Sequence, residues 1–317
     1  MAASLRPYLA GWISGAVAMT IIFTFTGPVY LGQRITPRSL PPIRGSIADR
    51  DVVATTDIAD EEVEGATDIV PRNKRMILAT TNSGFLHFTK NWLESLKRSG
   101  VQDKIVIVAE DAASFKAINA FTDYPSLEVK LAADAKHHKE GVLKFSSDGY
   151  LKFVNKRPSY ISHFLKKGFD VLFSDVDIVL LQDPFPYFDD DLDVTLQMDV
   201  WKKDNHNHSD VFCAGFVYYR STNATKEFLR RFMERIAADP KTPDQVILNR
   251  LLRERDIKKM VRVHPMNGDL FVSGRYYFDP SWRALHTEQQ PVMIHNNWIK
   301  NSASKVKRFK ELGLWYA

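Results

Sequence analysis

The sequence predicts an α/β fold built on a largely parallel sheet. Two observations carry that expectation. Short continuous apolar runs, as strands buried on both faces require, alternate along the chain with stripes of helical period. Residues able to carry chemistry then fall where those runs end, and open α/β sheets bind ligands beyond the carboxyl ends of their strands.

The first run, Arg75-Met76-Ile77-Leu78-Ala79-Thr80-Thr81, ends in hydroxyls and Asn82. Phe85, Phe88, Trp92 and Leu96 mark one face of the helix that follows, and Gly100 stops it. Lys104 to Ala109 reads as a second buried strand. Tyr160, Ile161, Phe164 and Leu165 form the next helical stripe, closed by Lys166, Lys167 and Gly168. Phe169 to Ser174 is a strand that runs straight into Asp175-Val176-Asp177. Phe228, Leu229, Phe232, Met233 and Ile236 predict a later amphipathic helix, and Ile247, Leu248, Leu251 and Leu252 another. Strands and helices alternating at this length favour parallel pairing.

Composition bounds the rest. Of 317 residues, 44% are hydrophobic and 26% charged, which excludes a disordered or collagen-like chain. The 43 basic and 38 acidic residues leave a net charge of +5 that is spread along the sequence, so no nucleic-acid partner is expected. Cys213 is the single cysteine, and no intramolecular disulfide can form.

Pro7 to Gln33 contain no charged residue and include Trp12, Ile13, Ile21, Ile22, Phe23 and Phe25. Since about twenty apolar helical residues span a bilayer core, residues 7–32 are expected to form a single-pass transmembrane signal-anchor behind a short cytoplasmic tail, residues 1–6. A cleaved signal peptide, which has a shorter apolar region, and a buried helix are the alternatives. Charge does not orient the span, with Arg6 before it and Arg34, Arg38 and Arg44 after it; a lumenal folded unit is inferred from the motifs below. Residues 33–71, with Pro37, Pro41 and Pro42 and then an acidic stretch from Asp49 to Asp68, are expected to be a flexible lumenal stalk. Residues 72–317 form the compact domain.

Asp175-Val176-Asp177 lies between Val171-Leu172-Phe173 and Ile178-Val179-Leu180-Leu181. Two carboxylates forced among apolar residues at a strand end need compensation, because burying unpaired charge is costly. A divalent cation supplies it, and hard oxygen ligands suit manganese or magnesium. A pair of solvated turn aspartates is the bland alternative for this spacing taken alone. The apolar strand before it and Asp183-Pro184-Phe185 after it favour the metal.

The segment Phe173 to Phe185 resembles the DxD region of the nucleotide-diphospho-sugar transferase family, in particular glycosyltransferase family 77, the group of plant rhamnogalacturonan xylosyltransferases and related arabinosyltransferases. Further pieces agree in order: Cys213-Ala214-Gly215-Phe216, Asp244-Gln245 followed by Asn249, Phe271-Val272-Ser273-Gly274, His295-Asn296-Asn297-Trp298, and the tail from Lys305 to Trp315. The resemblance runs from about Met76 to Trp315.

It implies a GT-A type glycosyltransferase fold, Rossmann-like and flanked by helices, in a type II Golgi membrane protein with a lumenal catalytic domain. It implies transfer of a sugar from a UDP-sugar donor to a glycan or glycoprotein acceptor with retention of configuration, xylose being the first expectation and galactose or arabinose behind it. A divalent metal, manganese before magnesium, would hold the diphosphate. Asp177 would be a direct ligand, Asp175 would bind metal or donor ribose, and His295 would complete the set as a neutral imidazole. Lys305 would touch the donor phosphates, although Asn301 and Ser302 stand where similar enzymes often have glycine. Trp298 is expected to bind substrate. Asp244 and Gln245 would position the sugar and stabilise positive charge at its anomeric carbon, with a helix cap as the alternative for Asp244.

Cys213-Ala214-Gly215 departs from the Asn-x-Gly of some relatives. Gly215 would let the backbone approach the sugar, and Cys213 is read as a small buried hydrophobe. Lys156 and Arg157, at a helix start, would reach the diphosphate, with Lys156 the first candidate and a solvated helix start equally open. Thr80 and Thr81 would contact the nucleotide. Asn207-His208-Ser209 and Asn223-Ala224-Thr225 make Asn207 and Asn223 candidate glycosylation sites. His206 and His208 with Asp204 and Asp210 read as a polar loop, and Asp189 to Asp191 with Asp193 as a solvated acidic turn. Acceptor contacts are expected around residues 137–150, 200–212 and 266–290. There Tyr150, Trp201, Tyr276, Tyr277 and Trp282 are candidates to stack on sugars.

Two other classes compete. An Asp-nucleophile phosphatase also begins with an apolar strand and Asp-x-Asp, but at least two strand–helix units precede Asp175 here. A membrane-tethered, lectin-like protein on a degenerate transferase fold is the non-enzymatic alternative. Intact Asp175, Asp177, Asp244 and His295 count against it.

Overall fold

The computed structural model describes residues 74–135, 141–200 and 211–317. The expected tail, anchor and stalk, the sequon at Asn207, Trp201 and the His206–His208 loop lie outside them. Among the described residues no helix is long and apolar enough to cross a membrane.

In chain order the elements are β1 (Arg75–Thr81), α1 (Leu86–Ser99), β2 (Lys104–Ala109), α2 (Ala112–Asn119), β3 (Leu127–Leu131), α3 (Asp148–Asn155), α4 (Arg157–Lys166), β4 (Asp170–Ser174), β5 (Ile178–Leu180) and β6 (Val194–Val200). They continue with β7 (Val211–Tyr219), α5 (Asn223–Ala238), α6 (Asp244–Leu251), α7 (Arg255–Met260), β8 (Val263–Pro265), β9 (Phe271–Val272), α8 (Gly274–Tyr277), α9 (Pro280–Leu285), β10 (Met293–His295) and α10 (Ser302–Glu311). The predicted strands and helices are present at close to their expected bounds. Gly100 and Gly168, read as helix stops, both have φ of 81°.

The main sheet has the order β3-β2-β1-β4-β7-β6-β8. Pairing is parallel except at β7, which runs antiparallel to both β4 and β6. Two reversals restore direction, so β6 ends on the same side as β1 and β4, and β7 begins there. That edge therefore collects Thr80 and Thr81, Asp175, Asp199 and the Cys213–Gly215 stretch.

Alternation along β1 shows how the sheet is covered. Met76 and Leu78 pack into the core under α4 to α7 with Phe164, Phe228 and Leu248, while Ile77 and Ala79 pack into the core under α1 with Phe88, Trp92 and Leu96. Each large side chain buried this way contributes about 1.5–3 kcal/mol. Trp92 also donates its indole N–H to Ser174 Oγ at 3.0 Å, which ties α1 to the end of β4 just before Asp175.

A second sheet, β5-β10-β9, places His295 opposite Ile178. It brings the late histidine beside Asp177, and α10 follows a short turn later.

The acidic turn needs a correction. Asp189, Asp190 and Asp191 are exposed, but Asp193 is buried. It accepts from Thr222 Oγ1 and from the backbone N–H of Arg262, both at 2.8 Å, because the start of α5 and the entry to β8 meet there. Asn223 is exposed on the first turn of α5, while Thr225, the hydroxyl residue of its sequon, is buried in the helix cap.

Candidate active site

A cleft of about 520 Å³ opens at this strand edge, a size suited to a small ligand. Thr80, Thr81, Asp175, Asp177, Asp244, Gln245, His295, Trp298 and Lys305, all singled out from sequence, line it. Lys156 and Gly215 do not.

At its centre the two aspartates divide their oxygens. Asp175 gives Oδ1 to Arg157 Nη2 at 2.8 Å, and its Oδ2 lies 3.9 Å from His295 Nε2. Asp177 gives Oδ2 to the Lys305 ammonium, and its Oδ1 lies 3.4 Å from the same Nε2. Asp175, Asp177 and His295 each offer one donor atom within 4.8 Å of the others. Each carboxylate thus has one oxygen neutralised by the protein and one turned toward the imidazole.

The imidazole is oriented from behind. Gln197 Nε2 donates to the Phe271 carbonyl at 3.4 Å, so its Oε1 faces His295 and accepts from Nδ1–H at 2.9 Å. Nδ1 carries the proton, and Nε2 presents a lone pair to the aspartates. Burial raises the Asp175 carboxyl above its ordinary value and the charge of Asp177 adds to this, although Arg157 offsets part of it. Burial also opposes ionisation of Asp177, but the Lys305 ammonium outweighs it and holds the group well below the carboxylate range. Two hard oxygens and a neutral imidazole, with one carboxylate held against ionising, fit a divalent cation.

Gly215 lies against the metal-ligand candidates. A Cβ there would stand 2.3 Å from Asp175 Oδ2 and 3.0 Å from His295 Cε1, so its missing side chain makes room for the aspartate and histidine. Cys213 is buried as expected, yet it lines the cleft with Sγ 3.6 Å from His295 Nδ1. Burial pushes its thiol up, with Asp199 and Asp175 adding to the shift, so it remains protonated at neutral pH.

Lys156 also needs correction. Its ammonium binds Glu110 and Asp134, away from the cleft. The next residue on the helix enters instead, since successive helical side chains point about 100° apart. Arg157 reaches Asp175 and, at 3.5 Å through Nη1, Asp244 Oδ2. Asp244, in the first turn of α6, is buried; burial raises its carboxyl to about 6 against the pull of Arg157.

Thr80 Oγ1 is buried without a partner among the described residues, whereas Thr81 Oγ1 is engaged by Thr89 Oγ1 at 2.8 Å. Trp298 has φ of 59°, a left-handed geometry that costs a non-glycine residue about 1–2 kcal/mol. Its indole N–H donates to Asp199 Oδ1 at 2.8 Å, and the Arg275 guanidinium lies 4.9 Å from its ring centroid.

Gln197 and Asp199 escaped sequence reasoning. They share one face of β6 with Thr195, opposite Val194 and Leu196, and both are buried. Two polar residues at period two inside a buried strand were the available signal.

The model of the family described as nucleotide-diphospho-sugar transferase matches residues 100–309. UDP-D-xylose:L-fucose alpha-1,3-D-xylosyltransferase 3 of Arabidopsis thaliana is 29% identical over 288 residues, covering 85% of this chain and 74% of that protein. UDP-galactose:fucoside alpha-3-galactosyltransferase of Dictyostelium discoideum is 30% identical over 211 residues, 56% of this chain and 30% of that protein. Among solved structures, an active-site mutant of LgtC is similar with a TM-score of 0.50 at 13% identity, covering 76% of this chain and 96% of that one. This last likeness concerns the fold alone, which is the GT-A-like glycosyltransferase fold expected from the sequence.

Proposed function

Since the chain belongs to the nucleotide-diphospho-sugar transferase family and is a glycosyltransferase, we propose that its cleft binds a UDP-sugar through a divalent cation and transfers the sugar, with retention, to a fucoside. The observation that carries this reading is the trio of donor atoms turned toward one another, Asp175 Oδ2, Asp177 Oδ1 and His295 Nε2. Asp175, Asp177 and His295 would hold the cation, manganese before magnesium, which when bound neutralises charge on the leaving diphosphate. Xylose is the first expectation for the donor sugar and galactose the second, because the two relatives differ there. Their names agree on a fucose acceptor. Four exposed apolar side chains on the cleft, Val142, Phe145, Val246 and Trp298, suit the methyl-bearing face of such a 6-deoxy sugar.

In this reading Lys305 exchanges Asp177 for a donor phosphate, and the orphaned Thr80 hydroxyl contacts the nucleotide. Asp244 and Gln245 flank the sugar, with the Gln245 amide oxygen supporting positive charge at the anomeric carbon. The acceptor oxygen bonds to that carbon on the face from which the phosphate oxygen leaves, and the departing phosphate takes the hydroxyl proton. Residues 7–32 would anchor the enzyme in the Golgi membrane and residues 33–71 would space the catalytic domain into the lumen, where Asn207 and Asn223 meet the glycosylation machinery.

The test uses the full-length chain. UDP is titrated calorimetrically with and without manganese, and UDP-xylose, UDP-galactose and UDP-arabinose are then incubated with methyl α-L-fucoside while UDP release is followed. Manganese-dependent UDP binding and an α-linked product from one donor are expected. A folded chain that binds UDP and transfers nothing overturns the enzymatic reading in favour of the lectin-like one, and transfer only to non-fucosyl acceptors overturns the acceptor.

A further inference from the structure

Asp199 ends on the cleft as a buried carboxylate, and among the described residues no Lys, Arg or His is paired with it. Its partners are neutral donors. Oδ1 accepts from Asn297 Nδ2 at 2.7 Å, Trp298 Nε1 at 2.8 Å and Ser273 Oγ at 3.5 Å; Oδ2 accepts from Gln245 Nε2 at 3.0 Å. The other end of the Gln245 amide, Oε1, accepts from the backbone N–H of Ala214 at 3.2 Å.

A carboxamide can usually turn over at little cost, exchanging oxygen for NH2. Here both neighbours forbid it. A carboxylate only accepts and a backbone N–H only donates, so Gln245 has one orientation that satisfies both. Its oxygen is held against β7, beside Cys213 and Gly215, the stretch that packs on His295 and Asp175.

We propose that Asp199 is a positioning residue that fixes the polarity of the Gln245 amide, so that its oxygen rather than its NH2 group serves the reacting sugar. The inference rests on the proposed role of Gln245 beside the anomeric carbon, where positive charge develops and an NH2 group would oppose it. It explains why position 199 carries a carboxyl group and not an amide: only an acceptor at both oxygens can hold Asn297 and Trp298 on one side and dictate Gln245 on the other.

Asp199→Asn is nearly isosteric and tests this directly. The donors on Oδ1 keep the asparagine oxygen, which turns its NH2 group on Gln245. Gln245 must then oppose NH2 to NH2, or flip and oppose its NH2 group to the Ala214 N–H. Gln245→Glu alone sets two carboxylates against each other. The double variant Asp199→Asn/Gln245→Glu resolves both conflicts, because the new asparagine NH2 donates to one glutamate oxygen and Ala214 to the other.

Turnover of the full-length chain is measured with UDP-xylose or UDP-galactose, whichever the wild type uses. Asp199→Asn is expected to lower kcat about 10²-fold, as loss of one aligned electrostatic group does, with the donor KM nearly unchanged. The double variant should exceed each single variant at least about tenfold, a recovery on the scale of one restored buried hydrogen bond. If Asp199→Asn fails to fold, a folded and active double variant supports the proposal equally. The proposal is overturned by wild-type kcat in Asp199→Asn while Gln245→Ala is impaired, or by a double variant no better than the singles in fold or turnover. Wild-type kcat in Gln245→Ala removes the role of Gln245, and with it this inference, while leaving donor binding at the metal cluster standing.

Discussion

Lys305 and Asp177 are ion-paired across 128 residues of chain, and the contact uses the one oxygen of Asp177 that does not face His295. The lysine thus neutralises the carboxylate without covering the cluster of donor atoms. Lys305→Ala should weaken UDP binding in saturating manganese by about 10- to 100-fold, the scale of a charge-assisted hydrogen bond to phosphate. Calorimetry decides it, and unchanged affinity would remove Lys305 from the phosphate site.

Gln197 determines which nitrogen of His295 is protonated. Gln197→Leu removes the acceptor behind Nδ1 and frees the ring to change tautomer. Manganese affinity in the presence of UDP should fall about 10- to 100-fold, as when comparable supports behind metal-binding histidines are lost. Equal manganese titrations for wild type and variant would show that the ring is oriented by packing alone.

Gly215 is predicted to tolerate no side chain. In Gly215→Ala the new Cβ must displace Asp175, whose Oδ2 would lie 2.3 Å away. The strain should cost about 1–3 kcal/mol of stability. Manganese-dependent UDP binding should weaken more than tenfold, roughly as it does when a ligand's support is lost. A crystal structure of the variant with Asp175 unmoved would contradict the argument.

Asp193 supplies a pH-dependent part of the stability. Burial pushes its carboxyl up, but the backbone N–H and guanidinium of Arg262 and the Thr222 hydroxyl outweigh that and hold it below its ordinary value. The depressed value means that ionisation stabilises the fold above the unfolded-state pKa near about 3.9 and that this contribution is lost as pH falls through the lower folded-state value. Asp193→Asn should lower stability by about 1–3 kcal/mol at pH 7, with the gap to wild type closing below about pH 4. Urea melts at neutral and acidic pH measure it; a gap constant with pH would refute the ionic account.

Much of the molecule is legible in the sequence because strands and helices are local. Continuous apolar runs and period-3.6 stripes gave β1, α1, β2, α4 and β4 near their observed bounds, and glycine stops with left-handed backbone appeared where they were expected. Asp175 and Asp177 were legible for a related reason: charge beside a continuous apolar run stands out in one dimension. Lys156 and Arg157 could not be told apart in sequence because neighbouring cationic residues differ only in helical direction, which one residue of phase reverses. Asp193 looked solvated because its two donors, Thr222 and Arg262, are distant in sequence.

By itself the sequence determined the α/β layering, the aspartate pair at the end of β4 and the list of residues able to serve a charged donor. The tertiary structure alone decided how those groups face one another. Pairing of β10 with β5 puts His295 beside Asp177, Gln197 selects its tautomer, and β6 carries Asp199 to Gln245 and Trp298. The reason is physical: periodicity records burial along one element, whereas hydrogen-bond polarity and ion pairing depend on atoms a few ångströms apart that belong to strands and helices distant in the chain.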